Sequence, residues 1–419
     1  MRFIERRDVV RASFVQLLSP LFAAIVGCGS EIPIGSDTGG GSQEASSTGS
    51  TGGMGGTGGM GGTGGMGGTG GMGGTGGMSG VGGGATGSPV LVTVLDDATS
   101  YYPQDPNWEN SNDLLKVFDT ANPNPPLLEL SGLRVLGELG SWRTVATSKS
   151  MKRLGVIDMD TPPTLHVFDE NLQQLVNVVL PDHGSGAAVC PTDQSIFVLY
   201  INGSIDSGNI VKLDSNGSYM GITSKTHGMD LIVDEDRQVV WTVGKYLTRA
   251  TTDLTNEQQL YMFVWAAVSL DLDANGGIWA AERKHPQVPG SLNRLVHFDV
   301  NGNVISGDMV PLPSTPVSVR VDRNSGRVWV AMLDFGQGAG VAYRDINGQL
   351  EVLSGLTGMW YAVAPDPLDG SSVWAAGSPM GLGTGEGQVV HVDTEGTLIQ
   401  SLGGFSPSAK WLAVMPKGP

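Results

Sequence analysis

Cysteine is scarce in this sequence, with two residues in 419, Cys28 and Cys190. Cys28 ends an apolar stretch near the start of the chain, whereas Cys190 closes a short apolar run far along it. Two cysteines in such different surroundings do not predict a disulfide framework. Cys190 is therefore expected to be a small buried hydrophobic residue.

Positive charge is also in short supply, because 24 Lys and Arg stand against 41 Asp and Glu, a net charge of −17. Residues 1–27 carry four Arg against two acids, a net +2, so the chain after them carries about −19. A surface this acidic repels the phosphate backbone of nucleic acids and anionic lipid headgroups. The composition therefore excludes nucleic acid as an expected partner.

No long membrane-spanning run opens the chain, because the apolar stretch at residues 12–27 is too short to cross a bilayer comfortably. It follows a basic segment with four arginines and ends in Ile25-Val26-Gly27-Cys28. This pattern resembles bacterial lipoprotein signals, which implies cleavage after residue 27 and lipidation of Cys28. An ordinary secretory signal is the alternative, and the pair Arg6-Arg7 also resembles a twin-arginine signal. We expect the protein to lie in the bacterial cell envelope, anchored in the outer membrane or at the cell surface.

Residues 28–88 have too little apolar side chain to build a core. Five glycine-rich hexads, four of them TGGMGG and the last TGGMSG, fill residues 51–80. Glycine at this density leaves the entropy cost of folding unopposed, so a disordered tether is predicted. The regular methionines also suggest a Cu(I) site, but no histidine or cysteine accompanies them, which favours the tether.

Residues 89–419 contain a unit that recurs about every 45 residues and is clearest at residues 265–306. Short β-branched and aromatic runs alternate in it with Gly, Asn and Asp turns, the pattern of four antiparallel strands joined by hairpins. A run ending in aspartate recurs every 39 to 50 residues and marks the unit seven times, at Asp119, Asp169, Asp214, Asp253, Asp299, Asp345 and Asp393. Asp253 is the most degenerate copy, so six or eight units are alternatives to seven.

A second marker is one large ring per unit, expected to fill the gap between neighbouring sheets. It recurs at Phe197, Trp241, Trp279, Trp329 and Trp374. The last apolar run, residues 408–415, matches a first strand, and residues 90–130 supply the three strands it lacks. Because closing a ring of sheets removes exposed edges, we predict an all-β propeller of seven four-stranded blades closed by both termini.

The repeated order of strand, Asp-turn-Val/Ile-Trp and strand-Asp-x-x-Gly resembles NHL-type propellers and the streptogramin (virginiamycin B) lyase-like family. The resemblance implies catalytic histidines that open consecutive blades, a glutamate after a tryptophan strand, and a magnesium ion. His183 and His227, each followed by glycine, match the histidines, and Glu282 matches the glutamate but lies one blade later than the family places it. The alternative is that these histidines line the channel or a turn.

Residues 271–282 also have the spacing of a calcium-binding EF-hand loop, with Asp271, Asp273 and Asn275 as candidate ligands and Glu282 at the twelfth place. The flanking runs are typical of strands rather than helices, which favours a repeat turn over a calcium site.

The sequence thus predicts a membrane-tethered, monomeric binding or scaffolding lipoprotein with no assignable catalysis. Its ligand is an unknown protein, glycan or small molecule. The alternative function is a metal-assisted lyase or hydrolase, using Mg or Ca, with its site at the mouth of the propeller channel.

Overall fold

The computed structural model describes thirteen stretches of the chain. They are residues 90–97, 113–133, 145–147, 152–158, 162–181, 184–204, 207–223, 228–285, 287–334, 336, 338–379, 387–405 and 408–417. The predicted signal and tether, Cys28, His183 and His227 lie outside these residues.

The described residues form 28 β-strands. The first fourteen are β1 (Val90–Asp97), β2 (Asp113–Asp119), β3 (Leu128–Leu133), β4 (Val145–Thr147), β5 (Arg153–Asp158), β6 (Thr164–Asp169), β7 (Gln174–Val179), β8 (Gly184–Val189), β9 (Ile196–Ser204), β10 (Ser207–Leu213), β11 (Tyr219–Ile222), β12 (Asp230–Asp234), β13 (Val239–Val243) and β14 (Tyr246–Thr251). The others are β15 (Gln258–Met262), β16 (Ala266–Leu272), β17 (Ile278–Arg283), β18 (Arg294–Phe298), β19 (Val304–Pro311), β20 (Thr315–Val321), β21 (Val328–Leu333), β22 (Val341–Arg344), β23 (Leu350–Val352), β24 (Met359–Pro365), β25 (Ser372–Ser378), β26 (Gly387–Asp393), β27 (Leu398–Phe405) and β28 (Ser408–Pro416). No helix long and apolar enough to cross a membrane occurs within the described stretches.

The strands pair with their neighbours in antiparallel meanders, as the alternation of apolar runs and turns predicts. Five separate four-stranded sheets have the orders β4-β5-β6-β7, β8-β9-β10-β11, β12-β13-β14-β15, β16-β17-β18-β19 and β28-β1-β2-β3. The first strands of successive meanders contact one another in turn, and β28 contacts β4, so the series of sheets closes on itself. The predicted all-β propeller is confirmed.

The number of separate blades is five, where the sequence predicted seven. The other eight strands, β20 to β27, form one continuous sheet in which two meanders meet at the residue pair Leu333 and Met359. Next to this pair, the Asp334 N–H donates to the Gly358 carbonyl at 3.1 Å. Gly358 has a φ of +99°, and a Cβ there would lie 2.5 Å from the carbonyl oxygen of Pro379, so the pairing of β24 with β25 requires glycine at this position.

The predicted closure by both ends of the chain is confirmed in the sheet β28-β1-β2-β3. Val90 pairs with Pro416, and the pairing continues along both strands with one bulge between Leu95 and Asp96. Lys417 Nζ also donates to Asp119 at 2.5 Å, which lowers the pKa of that carboxylate against the effect of burial. An edge that would otherwise stay unpaired is therefore covered by the chain's own terminus.

The hydrophobic core lies between successive sheets, since neither face of a single meander can bury itself. Each aromatic residue of the second marker is buried there, with Trp241 and Trp329 at 0% exposure. Trp241, for example, packs in a cluster with Ala267, Leu270 and Ile278 of the next sheet. The predicted role of these rings as fillers between sheets is confirmed.

Candidate binding site at the loop ends of the sheets

Each antiparallel meander has two different ends. The connections from first to second strand and from third to fourth strand lie at one end, which we call the turn end. The connections from second to third strand, and onward to the next meander, lie at the other end, which we call the loop end. In the sheet β16 to β19, the turn end holds residues 273–277 and 299–303, and the loop end holds residues 284–293.

The turn end is built from the repeated aspartates. Asp299 Oδ1 accepts hydrogen bonds from the backbone N–H groups of Asn301 at 2.8 Å and Asn303 at 2.9 Å. The same pair of bonds, to the second and fourth following residues, recurs at Asp169, Asp214, Asp345 and Asp393. Bonds from the side chain and backbone of Asn303 lower the pKa of Asp299. These aspartates hold turns, which explains why the sequence repeats them.

A third-strand side chain lies directly opposite each second-strand aromatic ring. Trp279 pairs with His297, whose ring stacks on it at 4.1 Å, and Trp374 pairs with His391 at 4.4 Å. The remaining pairs are Phe197 with Lys212, Trp241 with Arg249 and Trp329 with Tyr343. Cations and flat rings on an aromatic face are favourable cross-strand partners. The sequence analysis missed these pairs, although spacing back from each repeated aspartate would have located several of them.

His391 belongs to a buried polar network rather than to a nucleophilic site. Its Nε2 lies 2.5 Å from Ser372 Oγ, and Ser372 Oγ donates to Asp369 Oδ2 at 2.7 Å. Trp374 Nε1 donates to Asp366, whose carboxylate lies 3.4 Å from His391 Nε2. Burial lowers the pKa of His391, with the charges of Asp366 and Asp369 acting in the opposite direction. The Ser372 hydroxyl proton points to a carboxylate, and the side chain is 1% exposed.

A second polar network ties together the first strands β12, β16 and β20. Asp230 Oδ2 accepts from Ser269 Oγ at 3.0 Å, and Ser269 Oγ in turn accepts from the Val319 N–H at 3.2 Å. Arg320 donates to the same hydroxyl at 3.1 Å. Asp271 accepts from the backbone N–H groups of Leu272 and Val321. Side chains of one first strand thus satisfy the backbone of the next, which holds successive sheets in register.

Of the candidate calcium ligands, Asp271 lies within strand β16, and Asp273 and Asn275 lie on the turn between β16 and β17. Asp273 Oδ1 accepts from the N–H groups of Asn275 and Gly277, and its Oδ2 lies 2.8 Å from His297 Nε2. These bonds lower the pKa of Asp273, although burial acts to raise it. Asp271 faces β20 instead, so the two carboxylates serve different partners. Within the described stretches, no group of three His, Cys, Asp or Glu residues is arranged to hold a metal ion. The calcium and magnesium hypotheses stay predictions.

Glu282 is the candidate catalytic residue that the structure describes in full. It lies at the loop end of β17 with 0% exposure. Its Oε2 accepts from Arg294 Nε at 2.6 Å, and its Oε1 accepts from the Val264 N–H at 2.8 Å. The carboxylate therefore joins the connection before β16 to the start of β18.

The two candidate histidines lie just outside the described residues, next to glycines that the structure does describe. A side chain at Gly228 would lie 2.7 Å from a methyl group of Leu199, so the close packing of two sheets requires glycine there. Packing against Leu199 therefore explains the glycine of the His227-Gly228 pair. Convergence of His183, His227 and Glu282 stays a prediction.

The loop end of the sheet β16 to β19 presents an ordered cluster around Glu282. The Trp265 ring packs against the His285 ring in a tilted arrangement, with ring centroids 4.1 Å apart and an interplanar angle of 37°. Ser291 Oγ accepts from the His285 N–H and donates to its carbonyl oxygen, and the Lys284 N–H bonds Asn293 Oδ1 at 2.8 Å. Three chain segments are thereby fixed side by side. No sequence pattern singled out Trp265 or Leu292, because their proximity depends on the pairing of distant strands.

Comparisons with known proteins give no information about activity. No family model matches the chain, and no curated protein matches it. Hydrazine synthase from Kuenenia stuttgartiensis has a similar structure over 64% of this chain and 80% of that chain, with a TM-score of 0.49 and 13% sequence identity. A likeness at this level carries no functional argument. The resemblance to streptogramin lyase-like propellers stays a prediction.

Proposed function

We propose that this protein is a lipid-anchored propeller that binds a partner at the loop ends of its sheets and performs no catalysis. The observation that carries the proposal is the arrangement of Glu282. Its two oxygens are engaged by Arg294 and the Val264 N–H, and the side chain is fully buried. A general base must reach the proton it removes, whereas this carboxylate is positioned to hold loop segments in place.

We also propose that the continuous sheet β20 to β27 acts as two blades, β20 to β23 and β24 to β27, which gives seven blades around the axis. The two meanders share one residue pair, and each has the same strand order as the separate sheets. A buried cluster containing Trp329, Trp360 and Val373 lies between them, as between other neighbouring sheets. An experimental density map that resolved five or six radial blades would contradict this count.

The anchor is tested by Cys28→Ser in the native bacterium. If Cys28 carries the lipid, radiolabelled palmitate is incorporated into the wild-type protein and is absent from the variant. The wild type is then recovered with the membrane fraction, and the variant is recovered in the soluble fraction. A variant that stays with the membrane would show that another feature retains the protein there.

The non-catalytic reading is tested by calorimetric titration of the full chain with magnesium, calcium and manganese. We expect no binding that depends on His183 and His227, so the double variant His183→Ala plus His227→Ala titrates like wild type. Binding that this variant loses would instead support a metal-assisted lyase or hydrolase and would justify a search for its substrate.

A further inference from the structure

We infer that the cluster around Glu282 is a docking site for an acidic peptide segment that carries apolar side chains, contributed by a partner protein. The site, called here the loop-end patch, consists of residues 262–265, 282–285 and 291–294 together with Lys245. The inference rests on the proposed binding function and names the partner of that same region.

The loop-end patch is continuous because its segments are bonded to one another. Glu282 links the Val264 N–H to Arg294, and Lys245 Nζ donates to the Val264 carbonyl oxygen at 3.2 Å. The remaining links are the tilted ring contact between Trp265 and His285 and the bond from the Lys284 N–H to Asn293. A partner would therefore meet a surface whose backbone is already ordered, which reduces the entropy cost of binding.

Large apolar side chains project from this ordered backbone. Met262 is 60% exposed, Leu292 is 51% exposed and Val264 is 38% exposed. Trp265 beside them is half-buried, with one face covered by His285. Grouped apolar side chains on a soluble surface mark interaction sites more often than single exposed ones do. Aliphatic side chains offer no hydrogen bonds to sugar hydroxyls, so they favour a peptide over a glycan.

The charge of the loop-end patch is opposite to that of the chain. Two basic residues of the patch reach solvent, because Lys284 is exposed and Lys245 is half-buried. Arg283 is buried and Arg294 is paired with Glu282, so the charge that the patch presents is that of the two lysines, in a chain of net −17. An acidic segment would be attracted here and repelled by most of the remaining surface, so charge specifies both the partner and its place.

The test uses the full chain in detergent, immobilised and exposed to a phage-displayed library of random dodecapeptides. We expect selection of peptides rich in Asp or Glu together with Leu, Ile or Phe. A synthetic copy of one selected peptide should bind about tenfold more weakly to Lys284→Glu, because the substitution reverses a charge at the contact. Val264→Asp should weaken binding at least as much, and higher salt should weaken binding to wild type.

The matched control is Arg323→Glu, the same charge reversal at an exposed turn-end position. It should leave peptide affinity unchanged, and all three variants should match wild type in circular dichroism. Selection of no peptide, or of basic or uncharged peptides, overturns the inference. Binding that Arg323→Glu abolishes and Lys284→Glu leaves intact places the site elsewhere, so the binding function stands and the loop-end patch does not. Acidic oligosaccharides whose binding is lost in Lys284→Glu but kept in Val264→Asp overturn the choice of a peptide.

Discussion

Acidic side chains hold both the turn end and the loop end of the sheets, but they bond nearby residues at the turn end and distant segments at the loop end. At the turn end, an aspartate such as Asp299 accepts two backbone bonds within five residues, and the device is repeated from sheet to sheet. At the loop end of β16 to β19, Glu282 joins segments from Val264 to Arg294, and no repeat copies it. The turn-end aspartate can be repeated in every sheet because each copy bonds only residues of its own turn. Contacts such as those of Glu282, which join distant segments, can differ from sheet to sheet and so form a specific surface.

The largest effect that would separate the two ends is expected from Glu282→Ala. The substitution leaves Arg294, whose side chain is 16% exposed, without its carboxylate. Removing one partner of a buried ion pair costs about 3 kcal/mol in the free energy of unfolding, measured by urea denaturation. Glu282→Gln keeps an acceptor for the Val264 N–H and should lose less. If Glu282→Ala lowered the free energy of unfolding by less than the turn-end substitution Asp299→Ala does, the difference between the two ends would be contradicted.

A smaller effect is expected from Asp299→Ala at the turn end. The change removes an acceptor of two backbone hydrogen bonds, and it should lower the free energy of unfolding by about 1 kcal/mol at neutral pH. Because the folded-state pKa of Asp299 lies below the 3.8 of the unfolded chain, this contribution is present above that pH and is lost as the pH falls through the folded value. Glu351→Ala, which removes an exposed acid outside such a turn, is the matched control. Equal losses in both variants would show that net charge, rather than the turn, is responsible.

The smallest expected effect is a pH dependence at the network of His391. Its folded-state pKa lies below 6.5, so the unfolded chain takes up a proton at a higher pH than the folded chain does. The free energy of unfolding should therefore fall as the pH decreases below about 6.5 and should be insensitive to this group above it. His391→Gln should flatten that slope between pH 7.5 and 5.5. An unchanged slope in His391→Gln would assign the pH dependence to other groups.

Much of the fold could be read from the sequence because its determinants are local and repeated. The run before each aspartate is a third strand, and Trp241, Trp279, Trp329 and Trp374 all lie on second strands. The closing strand at residues 408–415 was identified from its similarity to other first strands. The count of separate sheets was not predictable, since it depends on whether Leu333 and Met359 approach within hydrogen-bonding distance.

The candidate site could be predicted only in part from local sequence patterns. Glu282 was singled out from its place after a tryptophan strand, but its partners Val264 and Arg294 lie 18 and 12 residues away and meet it through strand pairing. The cross-strand partners of the aromatic rings were missed for a related reason, because register decides which side chain faces which ring.

Local sequence patterns are sufficient to predict the class of fold, the position of each strand within its unit and the turns that end the third strands. Period-2 patterns and Asp-x-x-Gly turns act over a few residues, and their repetition along the chain strengthens the prediction. Three outcomes depend on the tertiary structure. Glu282 is buried and paired with Arg294, and two meanders join into one sheet. Trp265, Lys284 and Leu292 lie within one surface. Those outcomes depend on the approach of segments distant in the chain, for which neither local propensity nor spacing carries information.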